Sequence, residues 1–291
     1  MTRIPQDTVC LVTGGSSGIG LALALGLARA GTSVGIVARD RSRGEQALAH
    51  VREQTGNDRL KLFMADLSVQ SEVRQLAEDV QVRYPQLHVL INNAGAIFDQ
   101  RQISADGIEM TWALNHLAPF LLTNLLLDRL EQSSPARVIT LSSVAHQAGS
   151  INFDDPGLAQ GYSGWQAYSQ SKLANIMFTH ELAKRTQDTG ITANCYHPGV
   201  IRSGFGKNDR SFTKALFTLL GPFIGSPKAG AGTGLYLALS PDVEHVTGKY
   251  FVKRREVLPS RGAFDPILGE QLWRISAEMV GLPALMRLGE Q

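Results

Sequence analysis

Cysteine is scarce in this sequence: the 291 residues hold two, Cys10 and Cys195, with no C-x-x-C pair and no Cys/His ligand spacing near either. That argues against a disulfide-stapled scaffold, and no metal site is expected. Cys10 lies in the apolar run Val9-Cys10-Leu11-Val12, the setting of a buried strand thiol. An excess of one charge is also lacking. The formal net charge is +2 with 19% charged residues, so no nucleic-acid or membrane-surface partner is implied. The basic cluster Lys253-Arg254-Arg255 is too short for such a role and reads as a solvated rim. Long apolar runs are missing as well. No stretch reaches the roughly 20 residues of a membrane span, and the short polar opening, Met1 to Asp7, has no signal-peptide core. The expectation is a cytoplasmic protein without a stable membrane anchor. There is no internal repeat and no low-complexity segment.

What the sequence does have is glycine, 29 residues of it, placed where strands hand over to helices. Short β-rich runs alternate with longer helical patterns, the signature of βαβ units and a parallel sheet. Strands are expected at Thr8–Val12, Ser33–Ala38, Leu60–Ala65, Leu87–Ile91, Arg137–Leu141, Ile191–Tyr196 and Tyr250–Val252. Helices are expected at about Ile19–Ala30, Ser71–Tyr84 with Ser71 as N-cap, Ile108–Leu130 with a bend at Pro119, Trp165–Arg185 and Gly232–Leu239. Runs apolar throughout, such as Val34–Val37, suit strands covered on both faces. The fold class is α/β: a single doubly wound (Rossmann) domain over residues 1–291, with a mainly parallel sheet and helices on both faces. Within it, the Gly/Pro/Ser-rich segment 204–234 is expected to form a substrate lid, its apolar part being Phe212 to Ile224, and 255–291 a C-terminal extension.

Thr13-Gly14-Gly15-Ser16-Ser17-Gly18-Ile19-Gly20 sits between the first strand and the first helix. A dinucleotide's pyrophosphate needs close backbone approach and the free N–H groups of a helix start, and glycines allow both. Gly14, Ser16, Ser17, Gly18, Ile19 and Gly20 are therefore candidate cofactor ligands, although a tight turn alone would also use such glycines. The end of the second strand, Val37-Ala38-Arg39-Asp40, decides between cofactors. Ala38 stands where a ribose-binding acid would be, so Arg39 is assigned to a 2′-phosphate and the cofactor to NADP(H). Asp40 is the rival, read here as turning into the next helix. Asp66 and Leu67, at the end of the third strand, are assigned to the adenine side, with helix capping as the alternative for Asp66.

Tyr168-Ser169-Gln170-Ser171-Lys172 sets a phenol and an ammonium four residues apart, on one helix face. A tyrosine with a reference pKa of about 10 needs help to exchange protons at neutral pH, and a nearby cation is expected to lower that value. Ser143 ends the fifth strand and could hold a substrate oxygen while Tyr168 protonates it. Asn115, a mild misfit within a helix, suits either a water relay or an ordinary buried hydrogen bond. His116 and His146 neighbour these residues. Without an acidic partner or a G-x-S-x-G elbow, they read as structural or pocket-lining groups, not as a hydrolase's base.

Taken together, Thr13-Gly14…Gly18-Ile19-Gly20, Asn92-Asn93-Ala94-Gly95, Asn115, Ser142-Ser143, Tyr168…Lys172 and Pro198-Gly199 resemble the short-chain dehydrogenase/reductase family. The resemblance runs in family order to about Ser203. It implies Asn115, Ser143, Tyr168 and Lys172 as the catalytic tetrad, with Tyr168 and Lys172 also on the nicotinamide ribose. By the same resemblance Asn93, Ala94 and Gly95 line the cofactor cleft, and Pro198, Gly199, Val200 and Ser203 lie on its nicotinamide side. The stretches Ile151-Asn152-Phe153-Asp154-Asp155, Trp165 to Asn175, Gly248-Lys249-Tyr250-Phe251, Pro259-Ser260 and Leu272-Trp273 are similar to the retinol dehydrogenase-like branch. That similarity implies a lipophilic carbonyl or alcohol as substrate. It leaves open a homodimer through the helices carrying Asn115 and Tyr168. The expected activity is reduction of a lipophilic aldehyde or ketone. The alternatives are a cofactor-binding sensor or scaffold with little turnover, and an alcohol dehydrogenase working oxidatively with the same tetrad.

Overall fold

Strand residues such as Cys10, Leu11, Val34, Ile36, Leu90 and Ile91 are wholly buried, because helices cover both faces of the sheet they build. The computed structural model describes residues 7–199 and 226–283. The order of elements is β1 (Val9–Thr13), α1 (Gly18–Arg29), β2 (Ser33–Ala38), α2 (Arg41–Thr55), β3 (Leu60–Met64), α3 (Gln70–Arg83) and β4 (Val89–Asn92). There follow α4 (Met110–Trp112), a π-helical turn (Ala113–Leu117), α5 (Ala118–Leu125), α6 (Leu127–Gln132), β5 (Ala136–Leu141), α7 (Gly164–Arg185) and β6 (Ile191–His197). The described remainder holds α8 (Pro227–Leu239), β7 (Lys249–Val252), β8 (Arg255–Glu256) and α9 (Pro266–Met279).

The sheet order is β3-β2-β1-β4-β5-β6-β7-β8, parallel throughout except for the antiparallel β7–β8 hairpin at the edge. This is the doubly wound arrangement expected from the βαβ pattern. The winding reverses between β1 and β4, which opens a crevice at their carboxyl ends. Two apolar cores flank the sheet. One joins α1, α2 and α8 to it; the other joins α3, α5, α7 and α9.

Local chemistry explains several boundaries. Ser71 does not cap α3: the helix starts one residue earlier, behind Val69, which makes no side-chain cap bond. The helix expected over Ile108–Leu130 is broken into pieces. Pro119 has no N–H for the carbonyl of Asn115 four residues back, and its ring crowds that carbonyl. The chain widens into the π turn just before it.

The segment 204–234 is described only from Ser226, and there it is helix. Ser226 caps α8, Pro227 takes its first turn, and Gly234 packs against Leu23 and Tyr196. Residues Phe212 to Ile224 lie outside the described residues. The C-terminal extension is fastened by α9. Trp273 meets Phe120 and Phe178 with ring centroids 4.9 and 5.9 Å apart, while Arg185 bonds both the buried Glu181 and Glu270 of α9. Trp273 thus packs on α5 and α7, in the region of the helices through which a homodimer was left open. Lys253 and Arg254 form the exposed tip of the β7–β8 hairpin, with φ of 50° and 64°.

Candidate functional site

The carboxyl ends of β1 and β4 are pinned together by one hydroxyl. Thr13 Oγ1 accepts the N–H groups of Asn93 (2.9 Å) and Ala94 (3.1 Å) and donates to the Ile91 carbonyl. Asn93 Nδ2 returns a bond to the Thr13 carbonyl at 2.9 Å. The crevice is therefore rigid where the glycine loop leaves β1. Within that loop Gly14 and Gly18 have φ of 64° and 55°, which a side chain would strain. A Cβ at Gly20 would stand 2.2 Å from the Gly14 carbonyl oxygen. Ser17 is the N-cap of α1 but makes no side-chain cap bond, and the first turn carries no acid. The uncapped N–H groups and the positive end of α1 suit a pyrophosphate. The described cradle thus fits a dinucleotide.

At the end of β2, Arg39 is exposed beside the glycine loop. Asp40 caps α2, its Oδ1 accepting the Arg43 N–H at 2.8 Å, as its reading as a turn into the helix anticipated. Arg41 and Arg43 lie on the first turn of the same helix and add positive charge there, which the dipeptide Arg39-Asp40 alone did not signal. Asp66 is held in a turn, accepting from the Ser68 N–H (2.9 Å) and Oγ (2.6 Å); Leu67 between them is buried. Pro198 and Gly199 follow β6, whereas Val200 and Ser203 fall outside the described residues.

The expected tetrad converges at the carboxyl edge of β4 and β5. Ser163 caps α7 and so sets Tyr168 in the first turns of the helix. Tyr168 hydrogen-bonds Ser143 across the gap between α7 and the end of β5. Lys172, 1% exposed, lies one turn further along, its Nζ 5.5 Å from the Tyr168 ring centroid and donating to the Leu141 carbonyl at 3.2 Å. Burial pulls the lysine down to about 8. Asn115 is fully buried; its Oδ1 accepts from the Ala96 N–H and its Nδ2 donates to the Ala96 carbonyl, both at 2.8 Å, and to Ser171 Oγ at 3.1 Å. This side chain ties the β4 loop to α7. Gly95 sits between them: a Cβ there would lie 3.0 Å from Asn115 Oδ1 and 3.5 Å from Lys172 Nζ.

One expectation is corrected. Lys172 was expected to lower the Tyr168 pKa, but burial instead pushes the phenol up to about 12, with the Ser143 bond opposing it.

Neither histidine activates Ser143. His116 is buried against Trp112 and bonds Ser276 of α9 at 2.7 Å, and burial drops it to about 3. His146 bonds the Ser143 carbonyl, not its hydroxyl. Ser142 was not singled out, yet its Oγ donates to the Lys172 carbonyl at 2.7 Å and fastens α7 to β5. Its place beside Ser143 was the available signal. Among the described residues, no group of three or more His, Cys, Asp or Glu could hold a metal ion, and no helix is long and apolar enough to cross a membrane.

Comparison with known proteins agrees with this geometry. The short chain dehydrogenase family model matches residues 8–214. Retinol dehydrogenase 12 of Mus musculus is 42% identical over 280 residues, covering 96% of this chain and 88% of that protein. The crystal structure of an uncharacterized protein from Mycobacterium paratuberculosis superposes with a TM-score of 0.77 at 33% identity, over 97% of this chain and 96% of that one. The Pseudomonas aeruginosa RhlG/NADP active-site complex gives a TM-score of 0.69 at 28% identity, over 86% and 97% of the respective chains.

Proposed function

Since the chain belongs to the short-chain dehydrogenase/reductase family, in its retinol dehydrogenase-like branch, we propose that it is an NADP(H)-dependent reductase of lipophilic aldehydes or ketones. The observation that carries this reading is the hydrogen-bonded Ser143–Tyr168 pair, set beside the buried Lys172 at the carboxyl edge of the sheet.

A bound nicotinamide supplies the hydride. The chain's own residues handle the oxygen and the proton. Ser143 holds the substrate carbonyl oxygen through its hydroxyl, and Tyr168 donates the phenolic proton to that oxygen as charge develops on it. Burial keeps Tyr168 protonated in the cofactor-free protein, the form that donates a proton in the reduction. Lys172 has three N–H donors and gives one to Leu141. The others are left for the ribose and for the proton path to Tyr168, and a pKa of about 8 suits a group that replaces a proton at neutral pH. Asn115 holds the loop and helix in register, with Pro119 leaving its carbonyl without an i+4 N–H.

Arg39 supports NADP(H) over NAD(H), since the neighbouring carboxylate of Asp40 is engaged in capping α2. The NADP complex of the Pseudomonas aeruginosa neighbour supports the same choice. Val144, 45% exposed, adds an apolar side chain next to Ser143, and the retinol named in the mouse relative is lipophilic.

The test is NADPH consumption with straight-chain aldehydes of increasing length, run beside NADH and Tyr168→Phe. Turnover should rise with chain length, prefer NADPH and fall ~10²-fold or more in the variant. Tight NADPH binding with no turnover on any carbonyl would favour the sensor reading instead.

A further inference from the structure

Two imidazoles hold both hydrogen-bonding groups of a single peptide, the one joining Ser143 to Val144. Its carbonyl oxygen lies 2.7 Å from His146 Nδ1 and also accepts the His146 backbone N–H at 3.1 Å, and its N–H donates to His197 Nδ1 at 3.4 Å. The partners assign the tautomers. A carbonyl can only accept, so His146 carries its proton on Nδ1, and its bare Nε2 accepts the Ser260 N–H at 3.2 Å. His197 accepts at Nδ1 and so carries its proton on Nε2. The His146 ring is 1% exposed and packs edge-on against Tyr250 with centroids 5.1 Å apart. Burial lowers both imidazoles, His197 to about 4, which keeps them neutral and keeps both acceptor bonds.

Ser143 is extended, with φ −156° and ψ 155°, at the head of the short turn Val144–Ala148. Rotation about its ψ would swing the carbonyl away from His146 and the Val144 N–H away from His197 together. The Ser143 Oγ already accepts the Ala145 N–H at 3.2 Å, so its own proton is directed by the same backbone setting.

We propose that His146 and His197 are positioning residues: they clamp the Ser143–Val144 peptide so that the Ser143 hydroxyl stays aimed at Tyr168, and His146 ties that aim to the C-terminal segment at Ser260. The inference rests on the reading of Ser143 as the group that holds the substrate oxygen. It gives a function to Pro259-Ser260, which lies far from the tetrad in sequence, and to a histidine that resembles a hydrolase base only in its proximity to serine. A serine misplaced by a fraction of an ångström would still bind cofactor. It would lose the alignment that the proton transfer needs.

The experiment compares His146→Asn, His146→Gln and His146→Phe for kcat, KM, NADPH affinity and melting temperature, with Ser143→Ala alongside. The asparagine amide nitrogen takes the place of Nδ1 and keeps the bond to Ser143. The glutamine amide reaches the place of Nε2 and keeps only the contact to Ser260. The Asn variant should stay within about threefold of wild type in kcat, and the Gln and Phe variants should fall roughly tenfold or more, at little change in KM or NADPH affinity. A Gln variant as fast as or faster than Asn overturns the clamp, and so does full kcat in all three. If the Phe variant does not fold, the order of Asn and Gln still decides. Ser143→Ala separates the two readings. Full turnover in that variant removes the role of Ser143 and the clamp with it, whereas an inactive Ser143→Ala beside a fully active His146→Gln refutes the clamp alone.

Discussion

Lys172→Met removes a charge that folding has to strip of water. Lys172 is 1% exposed, and burial takes its pKa from 10.5 to about 8. At about 1.4 kcal/mol per pH unit, that difference opposes folding by roughly 3 kcal/mol wherever the lysine is charged in both states. Methionine fills similar space without charge but loses the bond to the Leu141 carbonyl, a loss of about 1–2 kcal/mol. That carbonyl keeps the Asn175 Nδ2 donor at 3.2 Å. The variant should therefore be more stable than wild type by about 1–2 kcal/mol at pH 7, while losing turnover. Because the folded pKa is the lower one, the opposing free energy is fully present below about 8 and vanishes as pH rises toward 10.5. Wild type gains on the variant through that window. Urea denaturation without cofactor, at pH 7 and pH 10, measures both differences; cofactor is omitted because its binding would mask them. A variant less stable than wild type at pH 7, or a gap unchanged between the two pH values, would refute the reasoning.

Three further outcomes follow from the cofactor cradle. Gly20→Ala puts a Cβ against the Gly14 carbonyl oxygen, 2.2 Å away without movement, so the loop must shift and NADPH titration should show affinity lost about tenfold or more. Arg39→Ala should weaken NADPH by roughly 1–3 kcal/mol and NADH hardly at all; equal losses by calorimetry would remove Arg39 from the phosphate site. Asp40→Ala should lower the denaturation midpoint by the equivalent of about 1 kcal/mol, the worth of an N-cap, and leave NADH affinity unchanged. A selective loss of NADH affinity there would instead make Asp40 a ribose ligand.

The sheet was legible because its strands are buried on both faces: Val9 to Val12, Val34 to Val37 and Val89 to Ile91 are apolar runs, and β2 spans Ser33–Ala38 as expected. The glycine loop was legible because close backbone approach leaves few residue types other than glycine. Less could be read where the cause is long-range. Pro119 signalled a bend, yet the π turn ahead of it also depends on how Asn115 is tied to Ala96 and Ser171. The start of α8 was placed too late, although Ser226-Pro227 is an N-cap followed by a first-turn proline. The tyrosine's acidity was misjudged for a different reason. Spacing on α7 puts Tyr168 and Lys172 on one face, but only the packing around them sets how far each is desolvated. His197 gave no signal at all, because its partner, the Val144 N–H, is distant in sequence.

The most direct test of the central claim follows the hydrogen itself. NADPH carrying deuterium at both C4 positions of the nicotinamide is incubated with a long-chain aldehyde and either wild-type protein or Tyr168→Phe, and the alcohol is analysed by mass spectrometry. Deuterium is expected at the carbinol carbon with wild type and almost no alcohol with the variant. Undiminished labelled alcohol from Tyr168→Phe, or no label in any product of the wild type, would contradict it.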